Sequence, residues 1–375
     1  MRDVYVLGIG MIKFGRYRDK DVHELAAEAA LLALADAGMT VGDIGLLASG
    51  NLLQASNMIG QRVLQQIGQT GIPVINVSNA CATGSTAFRE AYMAVGSGEY
   101  DVAMAVGSEQ MGKAGLLGGG GGESVEGILG SGLMPAVFGQ AGVEHMRQYG
   151  TTAEHFAKIS VKNHKHSTKN PLSQYQTEVS LDEVMQARMV AYPNTLYMCC
   201  PTGDGAAAAI VGSEAMVKKY GKKPIRIACS VLTSDPWTPR DLTLPDVNTL
   251  TRNAAQVAYE RAGVDPDDLD LVELHDCFAT AELLHYENLG LCAEGQAGRA
   301  VDEGWFEHGG KTPVNVSGGL LSKGHPLGAT GVANIYEVVT HLRGEAGPRQ
   351  VADAKVGLAH VIGLGSACTI HILTA

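Results

Sequence analysis

The sequence has few of the features that would place a protein in a membrane or on nucleic acid. No apolar run reaches the roughly 18 residues of a membrane-spanning helix, because the most hydrophobic stretch, Leu25 to Leu34, contains Glu28 and is soon followed by Asp36. The 375 residues carry a formal net charge of −11 and no block of lysine and arginine. We therefore expect no transmembrane span and no nucleic-acid or anionic-membrane surface. The N-terminus also lacks a signal-peptide pattern, so we expect a cytoplasmic protein.

The sequence also lacks the spacings of disulfide frameworks, metal sites and nicotinamide sites. Its seven cysteines are odd in number and scattered, which suits a reducing compartment. No cysteine pair has zinc-site spacing, since Cys199 and Cys200 are adjacent, and no His-x-x-x-His pair occurs. Gly8-x-Gly10 has no third glycine at the spacing of a dinucleotide fingerprint. We predict no metal and no nicotinamide cofactor.

The chain contains an internal duplication. An apolar helical pattern ends at Gly38, and a predicted strand follows Asp43. The same order recurs in the second half with Gly263 and Asp268. Gly263 lies 225 positions after Gly38, and Asp268 lies 225 positions after Asp43. An unchanged offset over a helix, its terminal glycine and the next strand is hard to obtain by chance. The two halves are therefore expected to share one structure.

Strands and helices alternate in each copy, which predicts an α/β fold with parallel sheets covered by helices on both faces. The region 112–194 breaks this alternation with the glycine-rich tract Gly118 to Gly122 and polar helices, and we interpret it as an inserted loop or cap domain. The predicted N-terminal half is 1–111 plus 195–220, and the predicted C-terminal half is 221–375.

Cys81 stands at a predicted strand-to-helix junction. The extended run Pro73 to Ser78 leads through Asn-Ala-Cys-Ala-Thr-Gly into a helical pattern that continues to Val95. A thiol at a helix N-terminus faces unpaired N–H groups and the positive end of the helix dipole, which favour the thiolate. The same donors can hold an oxyanion. A cysteine taken alone is more often a small buried apolar residue, so the interpretation depends on partners elsewhere.

A second motif supplies two titratable groups. The predicted strand 269–274 delivers His275 and Cys277, in His-Asp-Cys-Phe, to its C-terminal end. Ligands of α/β sheets gather at that edge.

A third motif places His325 in a glycine-dense loop before another predicted helix. Asn76-Val-Ser before Cys81 matches Asn315-Val-Ser before His325, with an offset of 239 that indicates an insertion in the second copy. Loops that leave equivalent strands of two copies can face each other across a pseudo-twofold axis. A cysteine and a histidine on opposing loops can form an activated thiolate.

These motifs resemble those of the thiolase family, and within it the sterol-carrier-protein type. The resemblance covers nearly the whole chain, and the quoted residues are Asn79-Ala-Cys81-Ala-Thr-Gly84, His275-Asp-Cys277-Phe278 and Gly324-His325-Pro-x-Gly-Ala-Thr-Gly331. It implies a five-layer αβαβα thiolase fold with an inserted loop domain, and a homodimer. It also implies acyl transfer to and from coenzyme A, which is a substrate, with no tightly bound cofactor.

The resemblance also implies roles for individual residues. Cys81 attacks the 3-keto carbon of a 3-oxoacyl-CoA and carries the acyl group. His325 lowers the pKa of Cys81 and stabilises an oxyanion, and His275 donates a hydrogen bond to an enolate oxygen. Cys277 is the acid and base that protonates the enolate and later deprotonates coenzyme A. Backbone N–H groups of Cys81 and Gly363 form a second oxyanion hole.

One departure from the family pattern gives Cys277 more weight. Many thiolases carry Cys-x-Gly in the C-terminal loop as a second acid and base, whereas this chain has Val361 two residues before Gly363. Valine cannot transfer a proton, so Cys277 is expected to be indispensable. Cys368 is expected to serve packing, and His360 either orients the site or caps a strand.

Several alternatives stay open at this point. The chain could be a ketosynthase-like condensing enzyme, a thiolase-like aldolase or a non-enzymatic scaffold, although aldolases of this type tend to lack the nucleophilic cysteine. The resemblance implies a bulky aromatic or sterol-derived acyl-CoA as a substrate. It also implies a small partner subunit with a zinc ribbon and an OB fold. Trp237 and Arg240 are the candidates for lining the coenzyme A channel.

Overall fold

A computed structural model describes residues 1–112, 133–220, 223–236, 247–364 and 366–375. The glycine-rich tract Gly118 to Gly122 and both channel candidates, Trp237 and Arg240, lie outside the described residues.

Eleven strands are present in the described ranges: β1 (Val4–Met11), β2 (Leu46–Gly50), β3 (Val74–Val77), β4 (Val102–Gln110), β5 (Met189–Ala191), β6 (Asn194–Thr195), β7 (Asp204–Ser213), β8 (Ile225–Thr233), β9 (Leu271–Glu273), β10 (Val356–Gly363) and β11 (Ala367–Thr374). The α-helices described are α1 (Val22–Ala37), α2 (Ile59–Ile67), α3 (Thr83–Gly96), α4 (Met134–Tyr149), α5 (Ala153–Ser167), α6 (Leu181–Gln186), α7 (Glu214–Tyr220), α8 (Asn248–Ala262), α9 (Ala279–Asn288), α10 (Ala297–Asp302) and α11 (Leu327–Leu342). None of these described helices is long and apolar enough to cross a membrane.

Nine strands form one mixed sheet in the order β3-β2-β4-β7-β1-β8-β11-β10-β9, and β5 pairs with β6. The prediction of parallel sheets is only partly correct: β2 runs parallel to β3 and β4, and β9 runs parallel to β10. By contrast, β7 runs antiparallel to β1 and β4, and β11 runs antiparallel to β8 and β10. The length of the connection explains the antiparallel pairing of β10 and β11, since only residues 364–366 separate the two strands. A parallel connection needs a crossover of about a dozen residues or more, so such a short turn joins antiparallel strands.

The structure repeats one topology twice. The first half has the order β1-β7-β4-β2-β3, and the second has β8-β11-β10-β9, beyond which Val314 forms a parallel bridge to Val272 of β9. Pair directions agree between the halves. The helices α1 and α8 both end at a left-handed glycine, Gly38 with φ 66° and Gly263 with φ 69°. The spacing read from the sequence therefore corresponds to a structural repeat.

Two helices lie at the centre of the molecule. The helices α3 and α11 pack against each other, α3 covers β2, β4 and β7, and α11 also contacts β10. On the outer faces, α1 packs on β1 and β7, and α8 packs on β8 and β11. Almost every residue of α11 is buried, as expected for a helix between two sheet regions. This layering confirms the expected thiolase-type fold of the α/β class.

The first turns of α3 and α11 touch backbone to backbone. A methyl group added at Gly84 would lie 2.5 Å from the carbonyl oxygen of Gly328, and one added at Gly331 would lie 2.2 Å from the backbone nitrogen of Ser85. No real Cβ atom fits at such distances. Glycine at these positions therefore sets the distance between the helices.

We expect Gly331→Ala to lower the free energy of unfolding by at least about 1–3 kcal/mol, because the new methyl group meets backbone atoms that cannot rotate away. The urea midpoint of unfolding measures this change. The matched control is Gly42→Ala, where the nearest atom, the hydroxyl oxygen of Thr40, is 3.6 Å from the added Cβ. Equal midpoints for the two variants would contradict the tight contact.

Candidate active site

Cys81 lies on a strained turn between β3 and α3. The helix begins at Thr83 with Ala82 as its N-cap residue, so Cys81 immediately precedes the cap. Ala80 has φ 47°, a left-handed conformation that costs a non-glycine residue about 1–2 kcal/mol. The turn is held by a bond of 3.0 Å from the Ala82 N–H to the Asn79 carbonyl and by one of 2.6 Å from the Thr83 hydroxyl to the Ala80 carbonyl. This strain fixes the direction of the thiol.

The hydrogen bonds around His325 determine its tautomer. The hydroxyl of Thr330 donates to the carbonyl of Pro326 at 3.1 Å, so its oxygen accepts from the imidazole 2.7 Å away. His325 therefore donates through Nδ1–H, and its Nε2 carries the lone pair. That lone pair faces Nε2 of His275 at 3.4 Å.

The structure brings Cys81 together with both histidines. The Sγ atom of Cys81 and one ring nitrogen each of His275 and His325 all lie within 4.8 Å of one another. These three residues come from β3–α3, the end of β9 and the loop before α11. The structure therefore places these loops close together, as the sequence predicted.

Cys277 lies in the same region with a second thiol that the sequence did not single out. The N–H of Cys200 donates to the Cys277 carbonyl at 3.0 Å. Burial, followed by the neighbouring thiols including that of Cys81, raises the pKa of both thiols well above the ordinary value. Sequence analysis missed Cys200 because no spacing connects it to the three motifs.

Gly363 packs against the loop that carries Cys81. A Cβ atom added there would be 2.5 Å from the carbonyl oxygen of Asn79, 3.2 Å from Cβ of Ala80 and 3.3 Å from the nitrogen of Ala82. Only glycine allows the two loops to approach so closely. Farther along, Cys368 is buried in the apolar core, in agreement with a packing role.

Burial keeps the thiol and the imidazoles uncharged in the substrate-free chain. Burial raises the pKa of Cys81 to about 12, and the buried carboxyl group of Glu109 acts in the same direction. It lowers the pKa of His275 to about 3 and that of His325 well below its ordinary value. The expected resting thiolate is therefore wrong, because loss of water opposes the charge more strongly than the nearby N–H donors favour it.

Two buried carboxyl groups hold the loop before α11 against β9. Glu273 accepts hydrogen bonds from the hydroxyl of Ser317 at 2.5 Å and from Lys323 at 3.3 Å. Asp276 accepts from the N–H of Leu320 at 2.7 Å. These bonds connect the strand that leads to His275 with the loop that leads to His325. Neither carboxyl group was singled out from the sequence.

His360 contacts the backbone of His275. It lies within β10, and its Nδ1 accepts a long hydrogen bond of 3.5 Å from the His275 N–H. Its ring stands edge-on to that of His285, with centroids 4.5 Å apart. Of the two roles left open by the sequence, the structure favours orientation of the site over capping of a strand.

Comparison with known proteins gives family matches over nearly the whole chain. The family model "Thiolase, N-terminal domain" matches residues 4–215, and "Thiolase C-terminal domain-like" matches residues 240–375. Sterol carrier protein 2 of Homo sapiens is 44% identical over 392 residues, which cover 99% of this chain and 72% of that protein. Benzoylsuccinyl-CoA thiolase subunit BbsB of Thauera aromatica is 40% identical, with 97% and 95% covered. Acetyl-CoA acetyltransferase of Methanothermobacter thermautotrophicus is 38% identical over the full length of both chains.

Solved structures show the same fold. The Ltp2-ChsH2(DUF35) aldolase superimposes with a TM-score of 0.83 at 23% identity and covers 100% of this chain and 98% of that chain. Human mitochondrial 3-ketoacyl-CoA thiolase superimposes with a TM-score of 0.77 at 20% identity and covers 100% and 99%.

A thiol and two imidazoles within reach of one another are the groups that enzymes with a cysteine nucleophile use. The family matches then make the assignment specific. The chain belongs to the thiolase family, and it is an acyltransferase.

We expect Cys81 of the substrate-free protein to be alkylated by iodoacetamide at a rate that rises about tenfold for each pH unit between about pH 7 and pH 9. With the pKa near 12, the thiolate fraction keeps growing throughout this range. Peptide mass spectrometry at each pH measures the rate at Cys81 alone. A short unstructured peptide with blocked ends and one cysteine, whose pKa is about 8.5, is the control, because its rate rises less steeply above about pH 8. A rate for Cys81 that is already constant below about pH 8 would indicate a resting thiolate instead.

Proposed function

We propose that the protein is a thiolase that transfers an acyl group between a 3-oxoacyl-CoA and coenzyme A through an acyl-cysteine at Cys81. The observation that carries this proposal is the convergence of Cys81, His275 and His325 within 4.8 Å. Three groups at this distance can supply a nucleophile, a base and hydrogen-bond donors to one carbonyl group. The relatives named as thiolase and acetyltransferase support the same reaction class.

In the cleavage direction, the thiol of Cys81 attacks the 3-keto carbon of the substrate. Its proton passes to Nε2 of His325, the nitrogen that the hydrogen bond to Thr330 leaves with a lone pair. The C2–C3 bond then breaks, which leaves the acyl group on Cys81 and a CoA-ester enolate. His325, now protonated, and His275 face the same point and donate to the developing oxyanion. Charge thus arises only when a substrate is present to share it.

Cys277 completes the proton balance. Its raised pKa keeps the thiol protonated in the absence of substrate, which suits a group that must give a proton to the enolate carbon. The resulting thiolate then takes the proton of an incoming coenzyme A. That second thiol attacks the acyl-cysteine, and the departing Cys81 recovers its proton from His325. Each protein group thus regains a proton, since coenzyme A replaces the one that Cys277 gives to the enolate carbon, and the same cycle also runs in the condensing direction.

The alternatives differ in what Cys81 does. An aldolase cleaves its substrate without an acyl-cysteine, and the fold alone is compatible with one, since the solved aldolase shares it. The retained thiol beside two imidazoles favours acyl transfer. The name of the Thauera aromatica relative supports a bulky aromatic acyl-CoA as a substrate, and this finer assignment remains a proposal.

Partners belong to the same proposal. The aldolase structure is titled as a complex with a DUF35 protein, and the Thauera aromatica relative is named as a subunit. Both names support a partner subunit for this chain, and its small size stays a prediction. In the structure, β3 lies at one edge of the nine-stranded sheet with Ile75 37% exposed, which leaves an edge where a second copy could pair. The homodimer and a cytoplasmic location also stay predictions.

The proposal is tested by incubation with acetoacetyl-CoA alone and then with coenzyme A. We expect intact-mass and peptide mass spectrometry to find an acetyl group on Cys81 in the first step. In the second step the 3-keto absorbance should fall while acetyl-CoA forms. Cys81→Ser should abolish the adduct and lower kcat by several orders of magnitude, whereas Cys292→Ala should change neither.

A panel of short, long and aromatic 3-oxoacyl-CoA esters extends this test. Turnover of one ester without any adduct at Cys81 would point to the aldolase, and neither adduct nor turnover with the whole panel would point to a scaffold.

We expect Thr330→Val to lower kcat about 10²-fold with little change in KM, because loss of the hydroxyl acceptor lets the His325 proton move to Nε2 and removes the base. Steady-state thiolysis measures both constants. Thr340→Val is the matched control, since Thr340 lies on the same helix and its hydroxyl donates to the Tyr336 carbonyl in the same i−4 manner at 2.7 Å. Equal kcat values for both variants would contradict the assigned tautomer.

A further inference from the structure

The catalytic groups have a second property, which follows from the kind of atoms they present. One sulfur and two imidazole nitrogens, from Cys81, His275 and His325, lie within 4.8 Å of one another. Sulfur and imidazole nitrogen are the ligands that Zn²⁺ prefers in proteins. The spacing of these residues along the chain could not reveal a metal site, since they lie on three separate elements.

The distance between the imidazoles fits one shared tetrahedral ion. Two nitrogens that are each about 2.0–2.1 Å from a tetrahedral Zn²⁺ lie about 3.4 Å apart. In the structure, Nε2 of His275 and Nε2 of His325 are 3.4 Å apart. The ring centroids are 5.1 Å apart and the planes are inclined by 67°, so the rings converge toward their Nε2 atoms.

The surroundings of His325 match those of a metal-binding histidine. Such a histidine binds through one nitrogen and donates its other N–H to an acceptor that fixes the ring. His325 donates from Nδ1 to the hydroxyl of Thr330, which is itself anchored on the Pro326 carbonyl. Nδ1 of His275 has no hydrogen-bond partner among the described residues, and its ring is buried. His275 therefore lacks the outer acceptor that His325 has, so His325 is the oriented imidazole of the pair.

We propose that, in the absence of substrate, Cys81, His275 and His325 bind one Zn²⁺ or a similar thiophilic divalent cation. Binding exchanges the Cys81 S–H proton for a metal–sulfur bond, and the proton leaves to solvent. Three protein ligands leave a fourth tetrahedral position for water or a substrate thiol. Mg²⁺ and Ca²⁺, which require oxygen ligands, do not bind here.

The ion blocks acyl transfer because it occupies the sulfur lone pair and both imidazole nitrogens. This consequence rests on the proposed function, whereas the binding itself does not. An acyl group on Cys81 removes the thiolate ligand, so the acylated enzyme is protected. The chemistry of the site therefore makes free zinc a reversible inhibitor that competes with the acyl-CoA.

Co²⁺ titration of the purified, metal-free chain tests the site without any measurement of activity. We expect one equivalent to bind, with visible bands of tetrahedral cobalt and a thiolate-to-cobalt charge-transfer band in the near ultraviolet. Zn²⁺ should displace the cobalt and abolish the bands, whereas Mg²⁺ should not. Absence of the charge-transfer band, or a stoichiometry other than one, would overturn the proposal.

Variants identify the ligands. We expect Cys81→Ala and Cys81→Ser to lose the charge-transfer band, and His275→Gln to weaken binding by more than the roughly 10–100-fold that loss of an outer hydrogen-bond partner costs. Thr330→Val should fall within that 10–100-fold range, while Thr340→Val and Cys292→Ala should bind like the unaltered chain. Circular dichroism confirms that each variant is folded. A charge-transfer band that persists in Cys81→Ser would place the ion elsewhere and refute the site.

Thiolysis with and without Zn²⁺ then separates the two proposals. Inhibition that a chelator reverses, and that prior acylation prevents, supports both. Cobalt binding by Cys81 in a chain that turns over no 3-oxoacyl-CoA would leave the metal site established and the proposed function refuted. Full thiolysis in a chain that shows no cobalt–thiolate band would leave the proposed function supported and the metal site refuted.

Discussion

The backbone contact between α3 and α11 is the constraint on which the site depends. Gly84 and Gly331 carry no side chain where the two helices meet, and an added methyl group at either would lie 2.5 Å or less from a neighbouring atom. The loops of Cys81 and His325 directly precede these helices, so the distance between the helices sets the distance between thiol and imidazole. Because a misplacement of about 1 Å can reduce a rate about 10²-fold, packing in the core and chemistry at the site cannot be separated.

Burial then decides the state of the groups that packing brings together. The same loss of water that raises the pKa of Cys81 lowers those of His275 and His325, so thiol and base rest uncharged side by side. In the proposed reaction, proton transfer between them creates a charge pair only when a carbonyl group is present to accept the sulfur. Buried Glu273 and Asp276 meanwhile hold the segment that leads to His275 against the loop that leads to His325.

The fold by itself does not decide the reaction, since a solved aldolase and a solved thiolase share it with this chain at under 25% identity. The site discriminates, because only a chain with a reachable thiol can carry an acyl group. The same atoms, however, form a ligand set for a thiophilic cation. A thiol and two imidazoles within 4.8 Å of one another can exchange a proton or share a small ion, and the hydroxyl that fixes one imidazole serves both arrangements.

The sequence by itself determined the duplication, the strand-to-helix position of Cys81 and the motifs of His275 and His325, because each depends on spacing along the chain and on local backbone preference. Resemblance to a known family added the fold and the reaction class. Tertiary structure alone decided the antiparallel course of β7 and β11, the proximity of Cys200 to Cys277, the tautomer of His325 and the neutral thiol. These properties depend on distances across the core and on the exclusion of water, and neither is written in the order of residues along one strand or helix.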